Sequence, residues 1–345
     1  QARALYLKNW PFTRTSLHLF PVVAEGINAA PAAADFDLDG VPDILVQGNG
    51  APPLVVKADP GPQGNFEDPP NRLPHYTDAQ GKTVADFDPT SRFGIYNHAD
   101  IAQDTMFPLF SQPSIGDLDQ DGVPDVVMSG GSLSLIGTLA GGGKPRKSQH
   151  LLTAWSGRTG AMMPGLPIVL EDFQFLINHA IADINGDDYP EIITGTGAYY
   201  LHAADACGRE PKSWPKFTNG WIASSPAVGD VNGDGKLDVI SGTRNGYLFA
   251  WKTTGSDHGV IQWESNHHDN QNTGNYANAL DQGVYKRAAK VIDCTPPVAV
   301  PTESYEAGGG CNTSGRPTST SFVGVLFGLA ILRVRRKRRS LQTGT

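Results

Sequence analysis

Gly229-Asp230-Val231-Asn232-Gly233-Asp234-Gly235-Lys236-Leu237-Asp238-Val239-Ile240 places oxygen-bearing side chains at positions 1, 3, 5 and 9 of a nine-residue loop counted from Asp230. Gly occupies position 6, and apolar residues run on from position 10. The same pattern recurs at Asp35–Asp43, Asp117–Asp125 and Asp183–Glu191. Each loop follows a short small-and-apolar segment (Ala30–Ala34, Gln112–Gly116, His179–Ala182, Ser225–Gly229). Each precedes a β-branched one (Ile44–Val46, Val126–Met128, Ile192–Thr194, Val239–Ser241). Strand, acidic loop, strand is the reading that this patterning supports.

A third strand is expected at Leu151–Trp155, Tyr199–Ala203 and Tyr247–Trp251. A fourth segment is expected at Met163–Leu166, Trp214–Pro215 and Ile261–Trp263. The first acids of successive loops lie 82, 66 and 47 residues apart. Small four-stranded sheets repeating at such intervals bury their faces only against one another, which is the requirement of a β-propeller blade. The fold class expected is therefore all-β, with a β-propeller over 1–290. The insert Gly137 to His150 reads as a surface loop, and Asp86-Phe87-Asp88 as the start of a degenerate loop without later ligands. Tyr6–Phe12 resembles Lys212–Phe217, so the chain is expected to enter mid-repeat, with seven blades expected if complete and N-terminal blades missing.

Hard Ca²⁺ takes six to eight oxygens at flexible geometry, and alternating Asp and Asn side chains on a tight loop supply them. The side-chain ligands expected are Asp35, Asp37, Asp39 and Asp43; Asp117, Asp119, Asp121 and Asp125; Asp183, Asn185, Asp187 and Glu191; Asp230, Asn232, Asp234 and Asp238. The position-7 carbonyls of Val41, Val123, Tyr189 and Lys236 complete the sets, for up to four Ca²⁺. Asp188 stands where the other loops carry Gly. An EF-hand would need a bidentate Glu at position 12, where Val46, Met128, Thr194 and Ser241 stand instead. Mg²⁺ fits less well, since it keeps several waters in strict octahedral geometry. Metal-free Asp/Asn turns would leave up to four carboxylates crowded together.

Net charge is −8, but from Cys311 onward there are seven basic residues and no acidic one, leaving −15 on the first 310 residues. Fourteen of those acids are candidate ligands, so four divalent ions would bring this part to about −7. Such a surface argues against a nucleic-acid partner. The three cysteines form no C-x-x-C motif; Cys207 and Cys294 either pair or stay as thiols. No export signal opens the chain, so either it has been removed or the chain is the C-terminal portion of a longer precursor.

Residues 291–310 read as a linker and 311–345 as a tail, with an apolar run over 322–332 followed by the basic cluster Arg333–Arg339. Eleven apolar residues fall short of the roughly 20 that span a bilayer, yet the uncharged stretch before the basic block suits membrane insertion. A permanent single-span anchor is the alternative.

The loops and flanking strands resemble the FG-GAP or VCBS-type repeats of integrin-α-like β-propellers, over roughly residues 20 to 276. That resemblance implies Ca²⁺ held between the strands of each blade. The Phe-Gly/Gly-Ala-Pro signature survives only as fragments, Gly50-Ala51-Pro52 and Phe93-Gly94. The tail resembles the myxobacterial C-terminal sorting signal, a Gly-Cys motif before an apolar segment and an Arg cluster. It implies Cys311 as the processing or anchoring residue, sorting machinery as a partner, and display at the cell surface or outer membrane.

Catalytic motifs are absent. His267, His268 and Asp269 suggest either a zinc or acid/base site or a polar closing segment, and adjacent His on extended chain would point to opposite faces. His75, His98, His179 and His202 are isolated. Trp155, Trp214, Trp251 and Trp263 recur at matching repeat positions, as inter-blade packing or, less simply, a carbohydrate platform. The function expected is a non-catalytic, Ca²⁺-stabilised surface module binding an extracellular protein or glycan. Its rivals are an exported polysaccharide-acting hydrolase or lyase, or its accessory domain, and a structural coat component.

Overall fold

A computed structural model describes residues 6–11, 27, 29–47, 53–62, 75–77, 83–85, 106–107, 111–132, 150–160, 162–174, 177–285 and 291–295. The chain divides into two compact units, Gln1–Cys294 and Thr295–Thr345. Asp86–Asp88, residues 137–149, His98, the linker beyond 295 and the tail with Cys311 lie outside the described residues.

The first unit is an all-β propeller-type repeat, with no helix among the described residues. Each blade is an antiparallel meander that starts at an inner strand and turns through an acidic loop. In the first, β1 (Ala32–Ala34) pairs with β2 (Asp43–Val46), and β2 with β3 (Leu54–Val56). A hairpin, β4 (His75–Thr77) with β5 (Thr83–Ala85), follows. In the second blade β8 (Asp125–Ser132) is long enough to pair with both β7 (Ser114–Gly116) and β6 (Met106–Phe107), and carries β9 (His150–Trp155) and β10 (Ile168–Leu170) on its other side.

The third blade runs β11 (Ala180–Ala182), β12 (Glu191–Gly195), β13 (Tyr200–Ala204), β14 (Lys216–Phe217). The fourth has three strands: β15 (Ala227–Gly229), β16 (Lys236–Gly242) and β17 (Leu248–Ser256). Inner strands β1, β7, β11 and β15 lie side by side in that order.

First, second and third strands fall where the alternation of apolar segments and turns places them. The fourth segments differ. In blade two Met163–Leu166 is a turn and the strand itself is β10, just beyond the cis Leu166–Pro167 bond. Ile261–Trp263 forms β18, yet it does not join blade four: it pairs with β11 of blade three, Ile181 opposite Trp263 and Ala182 opposite Ile261. An apolar triplet states that a strand forms; partner choice is a long-range matter that local pattern does not encode.

The Trp10 indole N–H donates to the Ala58 carbonyl (2.8 Å), just past β3. Asn9 Nδ2 and Lys8 Nζ reach Asp59 at 2.6 and 3.0 Å, so this N-terminal piece docks on blade one.

Two apolar clusters form the core. One joins blades one to three around Leu45, Ile115, Val127, Leu151, Trp155 and Trp263; the other joins blades three and four around Ile193, Leu201, Ile222, Leu237 and Val239. Each such side chain contributes roughly 1.5–3 kcal/mol by leaving water. Trp155 and Trp263 are 1% exposed, and Trp214 and Trp251 pack against the second cluster, as inter-blade packing requires. Cys207 and Cys294 form a disulfide (Cα–Cα 5.0 Å) that ties the β13–β14 turn of blade three to the end of the first unit.

Candidate metal centres

All four acidic loops share one hydrogen-bonded skeleton. The position-1 carboxylate accepts the backbone N–H of position 6: Gly40 to Asp35 (2.8 Å), Gly122 to Asp117 (3.0 Å), Asp188 to Asp183 (2.9 Å) and Gly235 to Asp230 (2.7 Å). Position 5 accepts the N–H of position 7: Val41 to Asp39 (2.9 Å), Val123 to Asp121 (2.8 Å), Tyr189 to Asp187 (2.9 Å), Lys236 to Asp234 (3.1 Å). Position 9 reaches back to the N–H of position 2, from Phe36, Leu118, Ile184 and Val231, at 3.2, 2.7, 2.9 and 3.3 Å. Asp and Glu side chains thus wind the loop around their own oxygens.

Two backbone positions per loop are left-handed, not one. Position 6 has φ of 86° at Gly40, 94° at Gly122 and 79° at Gly235, and Asp188 takes 74° in their place. Position 4 does the same at Leu38 (59°), Gln120 (61°), Gly186 (87°) and Gly233 (76°). Sequence reasoning misses position 4 because Leu38 and Gln120 are not turn formers. Gly186 and Gly233 are the signal that was available.

The position-9 acids are sealed: Asp43, Asp125, Glu191 and Asp238 are 2, 0, 1 and 3% exposed. Burial pushes Asp43 up to about 6, Glu191 up to about 9, and Asp125 well above the usual carboxylate range, with neighbouring acids adding to each. Asp119 rises to about 6 through burial and then Asp121. Asp35, Asp37 and Asp39 bring one oxygen each within 4.8 Å of one another, as do Asp117, Asp119 and Asp121. That convergence of hard oxygens is the donor set a divalent cation takes.

In loops three and four the position-3 amides turn their Nδ2 toward the acids: Asn185 to Asp187 (3.0 Å) and to Glu191, Asn232 to Asp238 (2.7 Å). A 180° turn of either amide would present Oδ1 at the same point; the converging acid triads among the described residues are those of loops one and two. Loop three opens on a cleft of about 460 Å³ lined by Asn185, Asp187, Tyr189, Glu191, Asp205 and Arg209.

Basic residues from the third strand or just beyond it offset charge at three loops. Lys57 bridges Asp37 and Asp39 (2.7 Å to the latter), Arg158 meets Asp121 (2.5 Å) and Lys252 meets Asp234 (2.5 Å). Hydrogen bonds to Lys57 and Lys252 hold Asp39 and Asp234 below the usual range. A basic residue recurring at that point of the repeat is the signal that would have found them.

His267 and His268 are not on extended chain: both are left-handed, at 53° and 83°, in a turn capped by Asp269, which accepts the N–H groups of Gln271 and Thr273 at 3.0 Å each. His268 is fully buried, its ring nitrogens meeting Asp269 (3.1 Å) and the Tyr285 hydroxyl (3.0 Å), and it packs edge-on to Trp263. This is a closing segment built around a core histidine.

Residues 183–241 match the FG-GAP-like repeat. The match runs from the first acid of loop three into β16 and so covers loops three and four. No curated protein matches the chain. Among solved structures, similarity is found to the exotype rhamnogalacturonan lyase YesX (16% identity, TM-score 0.32, 63% of this chain and 39% of the lyase). It is also found to BBS1N in complex with ARL6DN (13%, 0.31, 74% and 62%). The quinohemoprotein alcohol dehydrogenase ADHIIG from Pseudomonas putida HK5 is a third (13%, 0.32, 64% and 34%). The chain thus spans less than two thirds of each of these relatives.

Proposed function

We propose that this is a Ca²⁺-stabilised β-propeller that serves as a cell-surface binding or adhesion module, without chemistry of its own. The observation that carries the reading is the four-fold repetition of one loop skeleton, with the carboxylates of positions 1, 3 and 5 converging in loops one and two. In loops one and two three carboxylate oxygens converge within 4.8 Å. Bound Ca²⁺ would supply the positive charge that such a cluster lacks. Asp35, Asp117, Asp183 and Asp230 would each ligate while keeping the loop wound; the position-9 acids would ligate while tying the loop to the second strand.

The disulfide supports an oxidising, exported setting. Display through the tail, with Cys311 as the processed or anchored residue and 322–332 as the membrane-inserted part, belongs to the same proposal. Among the described residues no helix is long and apolar enough to cross a membrane. The ligand proposed is an extracellular protein or glycan.

Calorimetry in millimolar Ca²⁺ and in EDTA tests the metal. Extracellular Ca²⁺ modules bind at about 10⁻⁴ to 10⁻³ M, so millimolar Ca²⁺, at about 1 to 10 Kd, is worth about 0.4–1.4 kcal/mol per site. A melting temperature indifferent to chelator sinks the reading.

A further inference from the structure

The segment Asp257–Tyr285 leaves blade four and touches the inner strand of every blade, always at or just before the first acid of the loop. Val260 C=O accepts the N–H of Asp183 (2.9 Å), beside the β18–β11 pairing. Gly274 and Tyr276 pair with both backbone groups of Ala33, two residues before Asp35, at 2.8 Å each. Glu264 C=O accepts the N–H of Val228 (2.9 Å).

At the other two contacts the strap uses a side chain. Gln262 accepts the N–H of Asp117 on Oε1 and donates Nε2 to the Asp117 carbonyl (3.2 Å). Gln282 repeats the arrangement on Asp230, at 2.6 and 3.3 Å.

A carboxamide facing a peptide in this way stands in for a neighbouring strand, meeting one donor and one acceptor together. The fit is close at Asp117: Gln262 is 2% exposed, and a Cβ on Gly116 would lie 2.8 Å from its Oε1. Both clamped residues are position-1 acids, whose carboxylates already hold the N–H of Gly122 and Gly235. Fixing their peptides on one side and their carboxylates on the other leaves the first ligand little freedom.

We infer that Gln262 and Gln282 are positioning residues for the cations of loops two and four: without contributing a ligand, each fixes the backbone of the first acid so that the ion finds its set preformed. The inference rests on the Ca²⁺ reading above. A loose first ligand must be ordered when the ion arrives, and that ordering is subtracted from affinity.

The experiment uses the full chain with Tb³⁺ and Ca²⁺ as probes. Tyr276 and Tyr285 line, with Asp35, Asp117 and Gln262, a cavity of about 280 Å³, and Tyr189 lies in loop three, so tyrosine-sensitised Tb³⁺ luminescence reports on loops one, two and three. Titration calorimetry with Ca²⁺ reports on all four loops, and amide exchange at residues 117 and 230 reads the clamps directly.

Gln262→Leu is expected to weaken a site seen by luminescence tenfold or more and to speed exchange at Asp117. Gln282→Leu should leave the luminescence titration unchanged, weaken one calorimetric site by a similar factor and speed exchange at Asp230. Gln271→Leu, on the exposed part of the strap, should match wild type. Should Gln262→Leu fail to fold, Gln282→Leu at the more open loop decides alone. Wild-type affinities in both Gln variants overturn this inference by itself; a wild type that takes up neither ion at millimolar concentration overturns the Ca²⁺ reading and the inference with it.

Discussion

Blades three and four begin from the same hairpin and end in different surroundings. Thr196 and Thr243 make identical turns, their N–H groups donating to the carbonyls of Tyr200 and Tyr247 at 2.9 and 2.8 Å. Leu201 and His202 therefore correspond to Leu248 and Phe249. Leu201 is 0% exposed and Leu248 77%. β13 has β14 on its outer side, whereas β17 pairs with β16 and has no strand on its outer side among the described residues; β18 pairs with blade three. Burial in a stack of sheets is decided by what packs outside the strand, and two strands with the same local pattern need not share it.

The largest expected effect tests that contrast. Leu201→Ala should cost about 2–5 kcal/mol in urea or thermal unfolding, through lost transfer energy and the cavity left behind. Leu248→Ala should stay within about 0.5 kcal/mol. Equal costs would mean that Leu248 is covered in solution.

His202 gives the next difference. Burial opposes its charge, but hydrogen bonds from its ring to Glu171 (3.0 Å) and Glu210 (2.7 Å) outweigh that and push its pKa up to about 9. The folded value lies above the ordinary 6.5, so the stabilisation is fully present below pH 6.5 and is lost as pH rises through about 9. With Glu171 half exposed, on the order of 2 kcal/mol is expected. Unfolding free energies of wild type and His202→Phe, which imports the blade-four residue, should converge above pH 9.

The smallest effect concerns position 6 of the two loops. Asp188 holds φ of 74° where Gly235 holds 79°. Asp188→Gly should stabilise blade three by about 0.5–1 kcal/mol and Gly235→Ala should destabilise blade four by about the same, since a Cβ penalises left-handed backbone. Opposite signs in paired denaturation curves are the outcome to look for.

Much of this was legible in the chain. Alternating small and apolar segments around Asp-x-Asp/Asn loops are local statements, and β1, β2, β7, β11, β12, β15 and β16 form where those statements put them. Of the loop acids, Asp35, Asp37 and Asp39 converge, as do Asp117, Asp119 and Asp121. What stayed hidden is non-local. Nothing in Ile261-Gln262-Trp263 says that it pairs with β11, and nothing in the isolated Gln282 says that it clamps a peptide 52 residues away. Leu38 and Gln120 adopt left-handed backbone because the skeleton around them demands it, not because they favour it. The cysteine count allowed a Cys207–Cys294 pair without requiring it.

That disulfide also defines a path for mechanical load. Tension applied from beyond residue 294 enters the first unit at Cys294 and passes through sulfur to Cys207, bypassing a sequence separation of 87. Blade four and the whole strap lie inside that bypass, so a pull on the C-terminal side is borne by blade three while the clamps at Asp117 and Asp230 carry none of it. Reduction would reroute the same force through the strap and peel it from the inner strands one hydrogen bond at a time.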